Sequence, residues 1–165
     1  MSTPINHLSE ISACSDAVAW VKSTRCPSLE TAWKKCQRGD WMLWYAGKKS
    51  GPVGDERRKK LVLAACECAR LALPIWEKRC PDDKRVRDCI ETAEKWARNE
   101  ATLEALQVSR RNCWAAYYAE PADAADSSAA AYAATAYAAT ADAARSKTLK
   151  ECADIVRKFY PELPK

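Results

Sequence analysis

The sequence predicts an all-α fold: a single-domain helical bundle of about six to eight helices with a long alanine-rich C-terminal helix. Three observations lead there. Apolar residues recur at helical spacing over most of the chain. Seventeen alanines fall between positions 115 and 144, and alanine has the highest intrinsic helix propensity. Only four glycines occur in 165 residues, too few for a turn-rich β-sandwich. A chain of this length that is 48% hydrophobic can bury a sizeable core in one domain spanning 1–165.

Each element has a local cause. From Ser15, the residues Ala17, Val18, Trp20 and Val21 form a short amphipathic pattern. It stops near Cys26-Pro27, because a proline disfavours helix in the residue before it. Ser28 can cap a second helix through its hydroxyl, with Leu29, Ala32, Trp33 and Cys36 toward the core. Gly39 suits a left-handed position after it, and Asp40 can cap a brief third helix, Trp41 to Ala46, ending at Gly47. The stretch from Leu61 to Leu73 holds only Glu67 and Arg70 as strongly polar residues, so its helix should be buried on nearly all sides and should end or kink at Pro74.

After Pro81, Asp82 or Asp83 can cap the clearest amphipathic helix, whose apolar residues are Val86, Cys89, Ile90, Ala93, Trp96 and Ala97. Thr102 can cap the next, with Leu103, Leu106, Cys113 and Tyr117 running toward Glu120-Pro121. The final segment carries Leu149, Cys152, Ala153, Val156, Phe159 and Tyr160 at the same period. Residues 1–13 show no such pattern and are expected to form a loosely ordered tail.

The fragment YAATAYAATAD raises a low-complexity alternative. Helix is preferred, since alanine loses no side-chain rotamer entropy there and lets a neighbouring helix approach closely. Tyr132 and Tyr137 lie about 140° apart around such a helix, so one of them should face outward, which offers a surface for self-association.

The chain contains nine cysteines, an odd number with no export signal before them, and reduced thiols are expected. The N-terminus MSTPINHLSEIS lacks a basic region followed by an apolar one, and no run of 18 apolar residues occurs. A cytoplasmic protein is therefore expected. No CxxC is present, and Cys66 and Cys68 on one helix point roughly 200° apart, so they cannot chelate one ion together. Buried apolar thiols, with neither metal nor cofactor, are the favoured reading.

The net charge of +5 is lopsided. Residues 1–60 hold 11 Lys/Arg against 6 Asp/Glu, whereas 61–121 hold 10 of each and 122–165 hold 6 of each. Within 34–60 there are 9 basic residues against 3 acidic ones, alongside Trp41, Trp44, Tyr45 and, just before the window, Trp33, and all four glycines fall within it. Basic residues among aromatics can contact an acidic protein surface or phosphates. The simpler alternative is a solvated helix connection, with tryptophans that anchor short helices. Against it, Arg57 to Lys60 occupy the first turns of a helix, where the dipole disfavours cations. Asp40, Trp41, Trp44, Lys48, Lys49, Arg57 and Arg58 are accordingly the candidate partner-binding residues.

Catalysis finds little support. The one histidine, His7, lies in the expected tail, GxSxG and HExxH are absent, and GKKSGPVG is not a phosphate-binding GxxxxGK[ST] loop. Of the acidic cluster Glu120, Asp123 and Asp126, the last two share a helix face at i, i+3 and could bind a divalent ion, but their position just after Pro121 is explained by a helix N-terminus.

Five segments together resemble a known family: RGDWMLWYAGK (38–48), RRKKLVLAACECARLALP (57–74), IETAEKWARNEATLEAL (90–106), the alanine tract, and ECADIVRKFYPELP (151–164). The likeness covers roughly residues 14 to 164. It is to the alanine-rich, all-α immunity proteins encoded beside bacterial polymorphic toxins, with related copies in phage-like contexts. The resemblance implies stoichiometric binding that occludes a toxin or effector without catalysis. The positive charge excess departs from an inhibitor of a basic nuclease and favours an acidic or apolar contact surface. The alternative is a nucleic-acid or nucleoprotein binder, such as a phage-encoded inhibitor of a host defence complex.

Overall fold

In the computed structural model, residues 3–117 and 142–165 are described, and all regular structure among them is helical. The helices are α1 (Pro4–Glu10), α2 (Ser15–Ser23), α3 (Leu29–Lys35), α4 (Gly39–Lys49), α5 (Glu56–Arg79), α6 (Arg85–Ala97), α7 (Leu103–Tyr117) and α8 (Asp142–Phe159). Most of the alanine tract lies outside the described residues. So do Glu120, Asp123, Asp126, Tyr132 and Tyr137, and α8 as described is not the long alanine-rich helix expected from the sequence.

Helix α5 organises the molecule. Its all-round apolar pattern lets it serve two cores at once. Leu61 and Cys68 enter one cluster with residues of α1 to α4 and α8, while Val62, Ala65, Cys66, Ala69 and Leu73 enter another with α6 and Leu106 of α7. The thiols follow the same division. Cys66 Sγ donates to the Ile90 carbonyl at 3.8 Å, and Cys68 Sγ to that of Cys152 at 3.7 Å, so these cysteines, two positions apart, face different neighbours, as their angular separation requires. All six apolar residues of the α6 stripe are buried. Two bidentate ion pairs reinforce the α5–α6 contact, Arg70 with Glu94 at 2.8 and 2.9 Å and Arg87 with Glu77 at 2.7 and 2.8 Å.

Several local expectations need correction. Residues 4–10 are helical and not a loose tail: Thr3 caps Asn6 N–H, and Leu8 is buried in the first core. Gly39 does not terminate α3 in a left-handed conformation. Cys36 caps α3, and Gly39 opens α4, where a Cβ would lie 2.4 Å from Cys152 Cβ. Close approach of α8, not a turn, requires glycine here. Helix α4 also continues past Gly47 to Lys49, with Ser50 closing it through a 2.9 Å hydroxyl bond to the Gly47 carbonyl. Helix α5 runs through Pro74 to Arg79. Pro74 is exposed, on a side of α5 where its ring does not meet the packed core. Leu103, the first of the apolar residues expected along α7, is exposed, whereas Leu106 is buried.

Among the described residues, no helix is long and apolar enough to cross a membrane.

Candidate functional site

Helix α4 is fixed from its first turn. Gly39 rests on α8, and the next residue, Asp40, is almost fully buried. Its carboxylate accepts two bonds from the Arg38 guanidinium, 2.9 Å from Nε and 2.5 Å from the terminal nitrogen. A buried carboxylate needs such a partner, because desolvation of an unpaired charge is costly. The same guanidinium lies 4.3 Å from the centroid of the Trp41 ring, so one side chain neutralises Asp40 and covers an indole.

Beyond this pair the aromatics gather. Trp20 of α2 meets Trp41 at 6.0 Å with their planes 58° apart, a tilted geometry favoured by ring quadrupoles. Trp33 is buried. It contacts Tyr45 at 6.0 Å and donates its indole N–H to the Tyr160 carbonyl at 3.0 Å, which ties α3 to the end of α8. Burial raises the phenol pKa of Tyr45 and pushes that of Tyr160 up to about 12. Trp41 and Trp44 are half-buried. Together with Trp20, Trp33, Leu29 and Leu163 they wall a cavity of about 310 Å³ that also reaches Cys14 and Asp16. A more polar hollow of about 500 Å³, bordered by Gln37 and Arg145, shares Asp16 and Arg38 with it.

One turn further along α4, Lys48 sits 5.3 Å from the Trp44 ring centroid and Lys49 sits 5.8 Å from that of Tyr45. Arg57 and Arg58 lie across the loop that follows. Gly51 and Gly54 take positive φ there, +73° and +96°, which glycine accommodates without strain. Asp55 caps α5 by accepting from Arg57 N–H at 2.8 Å, and its carboxylate also receives the Arg57 side chain. These bonds hold the Asp55 carboxyl at about 2. Arg58 donates twice to the Gly51 carbonyl, at 3.2 and 2.8 Å. The unfavourable cations in the first turn of α5 therefore have a local explanation: they brace the loop.

The seven sequence candidates thus fall into three groups. Asp40, Trp41 and Trp44 line the cavity, Lys48 and Lys49 stack on aromatic rings of its wall, and Arg57 and Arg58 do not line it. Four wall residues were not legible as site residues. Trp20 read as core stripe, Arg38 and Asp16 as ordinary charges, and Leu163 follows Pro161, beyond any periodic pattern. The spacing of Arg38 and Asp40, two apart across a helix start, was the one signal that could have suggested a pair.

Among the described residues, no three metal-ligating side chains gather in a way that could hold an ion.

No curated protein and no solved structure matches the chain. A family model described as "Imm-5 like putative immunity protein" matches residues 51–148. The matched part begins in the loop after α4, so it takes in Arg57, Arg58 and helices α5 to α7, while the cavity residues of α2 to α4 precede it. With more than half of its length matched, the chain belongs to the Imm-5 like putative immunity protein family.

Proposed function

We propose that this protein is a non-catalytic inhibitor of immunity type, acting in the cytoplasm, which neutralises a toxin or effector by binding it one-to-one and covering its working surface. Family membership supports an immunity-type role. The observation that carries the location is the concentration of half-buried indoles at an open cavity, beside the stacked cations Lys48 and Lys49. Aromatic anchors in a concave, water-excluding setting are what interface hot spots require, and rim cations raise the encounter rate with an acidic partner.

Within this surface Trp41 and Trp44 are the anchors, and Lys48 and Lys49 steer the encounter. Asp40 acts indirectly, by holding Arg38 over Trp41. Arg57 and Arg58, braced against their own loop, form rim contacts.

Co-expression with the product of the neighbouring gene tests the proposal. A complex of equal stoichiometry, with loss of the effector's activity in it, is the expected result. A protein that leaves the effector active, or that binds nucleic acid with an affinity falling steeply as salt rises, would replace this reading with the nucleoprotein alternative.

A further inference from the structure

We propose that the indole-walled cavity between α2, α3 and α4 seats an apolar side chain carried on an acidic segment of the effector. This rests on the occluding role proposed above and adds the chemistry of the occupant.

The cavity is of binding-site size, near the lower end of the roughly 300–1,000 Å³ usual for ligand clefts. Its walls are overwhelmingly apolar. The charged pair among them, Arg38 and Asp40, is satisfied internally at 2.9 and 2.5 Å. A polar metabolite is held by several convergent polar groups that await it, and here that pair is already engaged. What the cavity offers is removal of apolar surface from water beside four indoles, the buried Trp33 and the half-buried Trp20, Trp41 and Trp44. An aromatic or branched aliphatic side chain meets that requirement.

Charge sets the surroundings of that side chain. Lys48 and Lys49 lie over rings of the cavity wall, and neither has a carboxylate within ion-pair distance among the described residues. Their position in the last turn of α4 places both cations at the negative end of the helix dipole, where they are well tolerated. Two acids oppose them: Asp16, which lines the cavity, and Glu30, whose charge reaches Tyr45 and is itself countered by Lys165 and Lys34. Around the cavity the cations Lys34, Lys48, Lys49 and Lys165 outnumber the acids Asp16 and Glu30, which favours carboxylates on the incoming segment and repels cations there.

Three six-residue peptides test this by titration into ¹⁵N-labelled protein, read at the indole N–H signals of Trp20, Trp41 and Trp44. One carries Phe-Leu between two pairs of glutamate, one carries Phe-Leu between two pairs of lysine, and one carries Ala-Ala between glutamates. The acidic Phe-Leu peptide is expected to shift these three signals and to bind at least 10-fold more tightly than the other two. Ala17→Trp, which fills the cavity, should weaken it at least 10-fold, and the surface variant K48E/K49E should invert the preference between acidic and basic peptides. Equal or stronger binding of the lysine peptide, shifts confined to other signals, or no shift at all would overturn the proposal. If Ala17→Trp does not fold, K48E/K49E still decides it. A complex with the effector that Ala17→Trp leaves intact would sink the cavity assignment alone, whereas absence of any complex would count against occlusion itself.

Discussion

Gly39 and Cys152 meet at a distance that leaves no room for a side chain: a Cβ on Gly39 would stand 2.4 Å from the Cys152 Cβ and 2.7 Å from the backbone nitrogen of Ala153. Two of these atoms belong to the backbone or are rigidly attached to it, so rotation cannot relieve the overlap. Helix α4, which bears Trp41 and Trp44, is positioned by this contact. Gly39→Ala should therefore cost about 1–3 kcal/mol, toward the upper value, as overpacking in a dense core does. Urea unfolding checks it, and an unchanged midpoint would contradict the close approach of α4 and α8.

The Arg38–Asp40 pair should matter more than the Asp55–Arg57 pair, although both are bidentate. Asp40 has a side chain only 10% exposed, and Arg38→Ala leaves its carboxylate buried without a guanidinium. A loss of about 2 kcal/mol is expected, together with a change in Trp41 fluorescence as the stacked cation leaves. Arg57 is exposed, so Arg57→Ala should lower the unfolding midpoint distinctly less than Arg38→Ala does. Equal effects from the two variants would show that burial does not separate the pairs.

Acid should act through Asp55. Its carboxyl is held at about 2, chiefly by the hydrogen bonds from Arg57, against an ordinary 3.8. A folded-state value below the unfolded one means the charged form is favoured by folding. The resulting stability is complete above about pH 4 and disappears as pH falls toward 2. Asp55→Asn retains a cap acceptor but has no proton to gain, so it should flatten the dependence of stability on pH in that window. Identical slopes for the two proteins would remove Asp55 as the cause.

Thiol chemistry should report the two cores. Cys14 is exposed, Cys80 and Cys113 are half-buried, and Cys66, Cys68 and Cys152 are buried. Burial pushes the Cys66 thiol up to about 12, so folding favours the protonated form. That contribution holds below about pH 9 and is lost as pH rises toward 12. A disulfide reagent at neutral pH should modify Cys14 first, and Cys66, Cys68 and Cys152 only at the rate of unfolding. Immediate reaction of more than the three accessible cysteines would disprove the packing of α5 against α6 and α8.

In the complex with its effector, K48E/K49E should slow association about 10-fold at low salt and change dissociation less, since rim charges act mainly on encounter. Trp41→Ala should do the reverse and speed dissociation. Stopped-flow and surface-binding kinetics separate the two. An unaltered association rate would move the contact surface away from the end of α4.

What the sequence determined by itself was everything carried by local periodicity and composition. The buried stripe of α6, the two-sided burial of α5, the Ser28 and Thr102 caps and the crowding of cations and indoles within 34–60 all depend on neighbours in the chain, and spacing reveals them. It misjudged Gly39 and the span of α4, because the glycine answers to Cys152, more than a hundred residues away, and not to a turn. Only the tertiary structure decided which residues meet at the cavity. Arg57 and Arg58 brace their own loop through Asp55 and Gly51, while Trp20 and Leu163, from distant segments, complete a cavity with Trp41 and Trp44. Side-chain pairing and cavity formation depend on helices being brought together in space, and no pattern along one helix encodes its neighbour.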